Sequence, residues 1–196
     1  MLNRRDFLTT SGAAAGLMLA STSFVEAQNT RRRVLTPEDM VPTEIRVRRG
    51  FEPGEIHVDP GQFALYWITA PRKAIRYRVG IGRPGLYESG EFTVGRKAEW
   101  PRWTPTAAMI KRTPSYAQFA DGMPGGPNNP LGARALYLYD ARGRDTMLRI
   151  HGTNRPNTIG HAVSNGCARM LNEYIIDLHA RVPNGTRVVL YPVRSS

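Results

Sequence analysis

The chain has 196 residues, 41% of them hydrophobic and 22% charged, which suits one globular domain with a leader or linker and excludes collagen-like, wholly disordered and polytopic membrane classes. Lys and Arg outnumber Asp and Glu by 27 to 16, a formal net charge of +11. The single cysteine, Cys167, excludes an intrachain disulfide framework and any zinc site needing two cysteines.

Residues 1–27 read as an export signal. Arg4 and Arg5 open it, a small-residue apolar stretch runs from Gly12 to Ala20, and Val25-Glu26-Ala27 forms a small-x-small cleavage site. The run Asn3-Arg4-Arg5-Asp6-Phe7-Leu8 resembles a twin-arginine address, with a general secretory signal or an uncleaved anchor as the alternatives. The apolar stretch is interrupted by Gly12, Gly16, Ser21 and Ser23 and is short for a spanning helix. A soluble, periplasmic or otherwise exported mature protein is therefore expected. Cleavage removes two bases and two acids (Arg4, Arg5, Asp6, Glu26), so the excess of +11 belongs to the mature chain. Such a charge suits an anionic partner. No nucleic-acid motif is present, and outside the cytoplasm an anionic cell-wall polymer is the better match, because its free carboxylates suit arginine forks.

Residues 28–50 are polar and basic, with Arg31-Arg32-Arg33, Pro37 and Pro42, and read as a linker or loosely packed arm. From there a β-rich domain is expected over residues 51–191, with a tail over 192–196; the family resemblance given below implies that this domain is catalytic. Short β-branched and aromatic segments divided by Gly and Pro predict strands over Glu55–Val58, Phe63–Ile68, Ala74–Gly80, Gly90–Val94, Ala135–Tyr139, Met147–His151 and Thr186–Tyr191. Pro60-Gly61 and Arg142-Gly143 suit turns. Residues Trp100 to Asn129 hold five prolines and read as a long loop, with a short helix near Thr104–Lys111 as an option. One helix is clear: Asn172 can cap it, Leu171, Ile175, Leu178 and Val182 recur at helical spacing, and Pro183-Asn184-Gly185 ends it.

The chemistry-bearing residues lie between 150 and 170. Ile150-His151-Gly152-Thr153 ends a strand-like run, and Ser164-Asn165-Gly166-Cys167-Ala168-Arg169-Met170 precedes the helix. A thiol with an imidazole available is the minimum for nucleophilic acyl transfer, and the N–H groups around Gly166 and Cys167 are candidates for an oxyanion hole. On chemistry alone, an inert buried thiol remains the equal alternative. Arg134 and Arg149 are candidates for a substrate carboxylate or for structural ion pairs. His57, His161 and His179 suit packing or surface roles, and Trp100, Trp103 and Tyr116 suit loop packing more than sugar binding. No HExxH or carboxylate-histidine cluster suggests a metal.

The run from Arg149 to Met170 resembles the active-site signature of the L,D-transpeptidase catalytic domain, the YkuD-like or ErfK/YbiS/YcfS/YnhG group. Gly54–Asp59, Tyr77–Gly82, Trp103-Thr104-Pro105 and Gly126–Leu138 resemble its other segments, so the similarity covers roughly residues 50–191. The resemblance implies a mainly β fold, an L,D-transpeptidase-like β-sandwich or barrel of mixed strands with one clear helix after the nucleophile and a long Pro-rich loop. It also implies Cys167 as nucleophile, His151 as base and the Gly152 carbonyl as the group orienting His151. Ser164 and Gly166 would form the turn presenting the thiol, and Arg169 would shape the site or meet a substrate carboxylate, with Asn165, Arg134 and Thr153 as further substrate-side candidates. Asn165 departs from the pattern, since many members have a second histidine there. The implied reaction is cleavage at diaminopimelate–D-Ala in peptidoglycan stem peptides, with transfer to an amine as a 3→3 cross-link or to an outer-membrane lipoprotein, and with sensitivity to carbapenems. L,D-carboxypeptidase action, D-amino-acid exchange and a non-catalytic wall-binding module are the alternatives. No cofactor and no metal are implied.

Overall fold

The computed structural model describes residues 36–193, so the expected export signal lies outside the described residues. Within them, a short helix α1 (Pro37–Met40) leads into strands β1 (Thr43–Arg46), β2 (Ile56–Asp59), β3 (Ala64–Ala70), β4 (Lys73–Arg78), β5 (Ile81–Gly82) and β6 (Gly90–Glu99). Helix α2 (Ala107–Arg112) and a 3-10 turn over Pro114–Phe119 follow. The chain then forms β7 (Arg134–Tyr139), β8 (Asp145–His151), β9 (Ala162–Ser164), β10 (Ala168–Arg169), helix α3 (Asn172–Arg181) and β11 (Arg187–Leu190). The fold is mainly β with mixed strands, as the sequence led one to expect. Nine strands pair in the order β1-β4-β3-β2-β11-β6-β7-β8-β10, and β5 pairs with β9 in a separate ribbon. The β11–β2, β10–β8 and β5–β9 pairs are parallel and the others antiparallel.

The main core comes from the alternating residues of these strands. Ile56, Val58, Leu65, Val94, Leu136, Leu138, Ile150 and Val188 are buried together with Ile175, Leu178 and Val182, the apolar stripe of α3 and its end. Turn chemistry holds where expected: Asp140 accepts from the Arg142 and Arg144 N–H groups, and Gly143, at φ +72°, completes the β7–β8 turn.

Two expectations need correction. The described part of the polar arm carries β1, which pairs with β4, and Val47 and Phe51 are buried against Ala64, Tyr66, Ile68 and Ala74. Strand β3 is thus covered on both faces, its Leu65 in the main core and its Ala64, Tyr66 and Ile68 under the arm. The alternation of Glu44 and Arg46 with Ile45 and Val47 hid the strand in a charged run. Asn172 is the first residue of α3 and not its cap, which is Leu171. Its side chain reaches sideways, and Oδ1 accepts from the Ala133 and Thr153 N–H groups at 3.0 and 3.1 Å. The helix thereby ties together the ends of the loops that precede β7 and follow β8. The arm's contribution is measurable: Val47→Ala should cost about 2 kcal/mol in urea unfolding, a large-to-small change at a fully buried site, and a loss below about 0.5 kcal/mol would show the arm to be peripheral.

Candidate active site

Register places the site. Ala168 pairs with Ile150 and Arg169 with His151 in the parallel β10–β8 ladder. In-register side chains of neighbouring strands share a face and alternate along each strand. Arg149 and His151 of β8 therefore face the same side as Cys167 and Arg169. A cavity of about 220 Å³ opens on that side, and Cys167, His151, Arg169, Asn165 and Ser164 all line it. The Trp100–Asn129 region supplies its other wall through Arg102, Trp103, Thr104, Thr106, Met109 and Tyr116. That region is more ordered than a loop: it contains α2, the optional helix, over Ala107–Arg112, with Thr106 capping it through a bond from Met109 N–H at 3.2 Å. Asn129 is buried and braces the region by donating to the carbonyls of Pro101, Met123 and Pro124. Trp103 packs edge-on against Tyr116, with ring centroids 5.2 Å apart. A second cavity of about 190 Å³ lies beyond, sharing Trp103, Tyr116, Pro130 and Arg169 with the first.

The His151 ring is held by its own neighbour. Nδ1 lies 2.6 Å from the Gly152 carbonyl oxygen, and because a carbonyl only accepts, Nδ1 carries the hydrogen and Nε2 is left as the basic nitrogen. Burial pushes the pKa of His151 down to about 3, and the positive charges of Arg169 and Arg149 add to this, while the carbonyls of Gly152 and Leu131 oppose it. Burial raises the Cys167 thiol, against the Arg149 backbone N–H and the Arg149 and Arg169 charges, which favour the thiolate. At rest the thiol and the imidazole that line this cavity are both neutral. The Cys167 Sγ points at the Met147 carbonyl, 3.9 Å away. Met147 has φ +63° at an irregularity between β7 and β8, a conformation L-residues seldom adopt.

The turn before the thiol is stapled by Ser164, whose hydroxyl donates to the Cys167 carbonyl at 2.7 Å and accepts from Gly166 N–H at 3.2 Å. Gly166 has φ +126°, and a Cβ there would come within 3.0 Å of the Leu86 carbonyl oxygen. Of the two N–H groups considered for an oxyanion hole, that of Gly166 is therefore engaged. The Cys167 N–H has no acceptor among the described residues.

Other expected residues stand elsewhere. Arg134 does not line the cavity: Glu99 holds its guanidinium at 3.0 Å, and it donates to the Ala133 carbonyl. Thr153 is buried and bonds to the Asn172 side chain and to Arg155 N–H. Arg149 lines the cavity, yet both its terminal nitrogens bind Asp145, at 2.6 and 2.9 Å. His161 is exposed, and His57 is fully buried between Glu55 and Tyr191. Sequence reasoning missed Arg96 and Tyr137, which line the cavity from β6 and β7; only strand register reveals them. Among the described residues no group of three or more His, Cys, Asp or Glu could hold a metal ion, and no helix is long and apolar enough to cross a membrane.

Burial keeps His151 neutral, and burial likewise lowers the pKa of His57 against the opposing pull of Glu55. An unfolded chain takes up protons on these rings as pH drops below about 6.5, whereas folded His151 resists until about 3. The stability tied to the neutral rings is full above the unfolded value and is lost as pH falls toward the folded one. Melting temperature should therefore decline steadily from pH 7 to pH 4, and His57→Gln should flatten part of that slope without touching the cavity. A flat wild-type profile would contradict the neutral rings.

Comparison with known proteins matches this geometry to one family. The model of the L,D-transpeptidase catalytic domain, YkuD, matches residues 53–190. Probable L,D-transpeptidase ErfK/SrfK of Escherichia coli K12 is 38% identical over 149 residues, 72% of this chain and 44% of that protein. Probable L,D-transpeptidase YbiS of the same organism is 40% identical over 137 residues, 68% and 43% of the two chains. The chain thus spans less than half the length of these two relatives. Among solved structures, a Brucella melitensis protein described as a probable carnitine operon oxidoreductase is 45% identical, with a TM-score of 0.53 over 79% of this chain and 93% of the other. The Ldtfm-avibactam carbamoyl enzyme shares the fold at 19% identity, with a TM-score of 0.54 over 74% and 51% of the two chains. A match over nearly all of the described residues, containing both the thiol and the imidazole, shows that this chain belongs to the YkuD family of L,D-transpeptidase catalytic domains.

Proposed function

We propose that the protein is an exported cysteine acyltransferase acting on peptidoglycan stem peptides. The observation that carries this reading is the meeting of Cys167 and His151 in one cavity, with His151 Nδ1 committed to the Gly152 carbonyl and its other nitrogen left basic. Cys167 Sγ attacks the carbonyl of the L-centre of diaminopimelate while its proton passes to His151 Nε2. The negative charge on the former carbonyl oxygen falls to the unengaged Cys167 N–H. Collapse expels D-Ala, whose amine takes the proton from His151, and leaves a thioester. An incoming amine then gives up a proton to His151 and displaces the thiol. Thiol-imidazole chemistry of this kind needs no bound cofactor.

A neutral resting pair suits this sequence, because charge develops only as the bond forms and is then met by Arg149 and Arg169. Asn165 lines the cavity in the place where many relatives carry a second histidine; it can hold a substrate polar group but cannot relay a proton. The amine of a second stem gives a 3→3 cross-link, a lipoprotein lysine gives protein anchoring, water gives a trimmed stem and free D-amino acid gives exchange.

Incubating the mature protein with isolated wall sacculi and weighing the released fragments distinguishes these products by mass. Cys167→Ala should abolish all of them, a loss of at least about 10³-fold, while keeping any affinity for the wall. An unchanged fragment profile with wild-type protein would instead support a binding module. The Enterococcus faecium catalytic domain with the same fold is described as acylated by ertapenem. A carbapenem adduct on Cys167, seen by intact mass, is expected here too, and an unlabelled folded protein would support the inert-thiol reading.

A further inference from the structure

The β6–β7–β8 registers extend the row that contains the thiol. Arg96 is opposite Tyr137, and Tyr137 is opposite Arg149, while Cys167 precedes Ala168, the partner of Ile150. Arg96, Tyr137, Arg149 and Cys167 therefore form one line across four strands on the cavity face, and all four line the cavity. The Tyr137 ring lies between two guanidiniums, with the Arg96 carbon 3.5 Å and the Arg149 carbon 4.1 Å from its centroid.

The two arginines differ in what remains for a ligand. Arg149 is saturated by both oxygens of Asp145 and by the Leu148 carbonyl. Arg96 is exposed and its side chain makes no hydrogen bond or ion pair among the described residues; Asp145 feels its charge, but both carboxylate oxygens of Asp145 are held by Arg149. Stacking on an aromatic face uses the plane of a guanidinium and leaves its edge of N–H donors open. The stack also removes rotamer freedom before any ligand arrives, which lowers the entropic cost of binding. Arg96 is thus an oriented, unpaired fork at the rim of the reaction cavity. Its partner class follows from that shape: a carboxylate, gripped through two parallel N–H···O bonds.

Three strand intervals of about 4.8 Å separate the β6 and β10 backbones, about 14 Å in all, and side chains reaching inward shorten the gap to that of a few bonds of extended peptide. We infer that Arg96, seated on Tyr137, anchors a carboxylate of the donor stem that stays on the acyl fragment after D-Ala leaves. This inference rests on the stem-peptide reading given under Proposed function. Two groups have the required chemistry, the α-carboxylate of the γ-linked D-Glu and the side-chain carboxylate of diaminopimelate. Arg96 acts as a positioning residue that sets affinity for the charged donor, with the chemical step left to Cys167 and His151.

The test compares wild type, Arg96→Gln and Arg96→Lys on a tetrapeptide stem and on two stems amidated at one or the other carboxylate. Arg96→Gln should raise KM for the free stem about tenfold, with kcat within about twofold, the pattern of lost uniform binding. The loss should vanish on the stem whose amide replaces the anchored carboxylate, and Arg96→Lys should recover part of it. Equilibrium binding of the same peptides to Cys167→Ala, with and without Arg96→Gln, supplies a readout independent of turnover. An unchanged KM, or an equal loss on all three stems, overturns the anchor while leaving the function in place. An Arg96-dependent affinity without turnover by wild type keeps the anchor and overturns the acyltransferase reading, and absence of both binding and turnover overturns the two together.

Discussion

The two-residue parallel ladder between β10 and β8 determines nearly everything that happens in the cavity. It joins a loop-borne thiol to a strand that is itself locked into the central sheet, and it does so in the single register that sets Cys167, Arg149, Arg169 and His151 on one face. A slip of one residue would turn Cys167 into the core and bring Ala168 and Met170 to the cavity. So short a ladder cannot hold its register unaided. The Gly80–Arg169 backbone bonds fix β10 from its other side at 2.9 and 2.8 Å, Met170 N–H closes onto the His151 carbonyl at 2.8 Å, and Ser164 staples the preceding turn. Behind them Asn172, planted at the start of α3, holds the Ala133 and Thr153 amides. The nucleophile is proposed to work from a rigid seat, and the rigidity comes from the bonded backbone groups on either side of it, with the Cys167 N–H itself left free for a substrate oxygen.

Burial then decides the charge state. Desolvation by the surrounding protein makes the imidazole and the thiol resist ionising, so neither is primed at rest. The proton of the thiol and the lone pair of Nε2 remain available because the Gly152 carbonyl has already claimed the other nitrogen. A backbone carbonyl orients the ring as a carboxylate would, but brings no full negative charge, which is in keeping with a site flanked by Arg149 and Arg169. A buried carboxylate in that position would pair with those cations and remove them from the developing charge.

Much of this was legible in the chain. Alternating β-branched segments marked the strands of the central sheet, helical spacing of Ile175 and Leu178 marked α3, and the motifs around His151 and Cys167 pointed to the cavity. What stayed hidden depended on partners distant in sequence. Strand β1 sits in a basic run whose burial is visible only once β3 and β4 offer it a face. Asn172 looks like a helix cap because its chemistry suits one, yet the Ala133 and Thr153 amides compete for the same oxygen and win. Arg134 carries the same signal as Arg96 in the sequence, a base in a β7 or β6 strand; Glu99 pairs with the first, while the second has no ion pair among the described residues. Nothing local distinguishes them, because the difference lies in register.

That contrast also explains where the positive charge of the chain acts. Arg134, Arg144, Arg149, Arg181 and Arg187 each pair with an acid, so their charge is compensated within the fold. Arg96, Arg102 and Arg169, which line the cavity, have no acid partner among the described residues. The Arg169 Nε is buried without a hydrogen bond, and burial lowers its pKa. An unpaired guanidinium in such a place costs stability, and a fold tolerates that cost where an anionic group arrives to offset it. Arg96, Arg102 and Arg169 thus leave positive charge open around the thiol, and an incoming carboxylate would be drawn toward them and oriented before any bond is made.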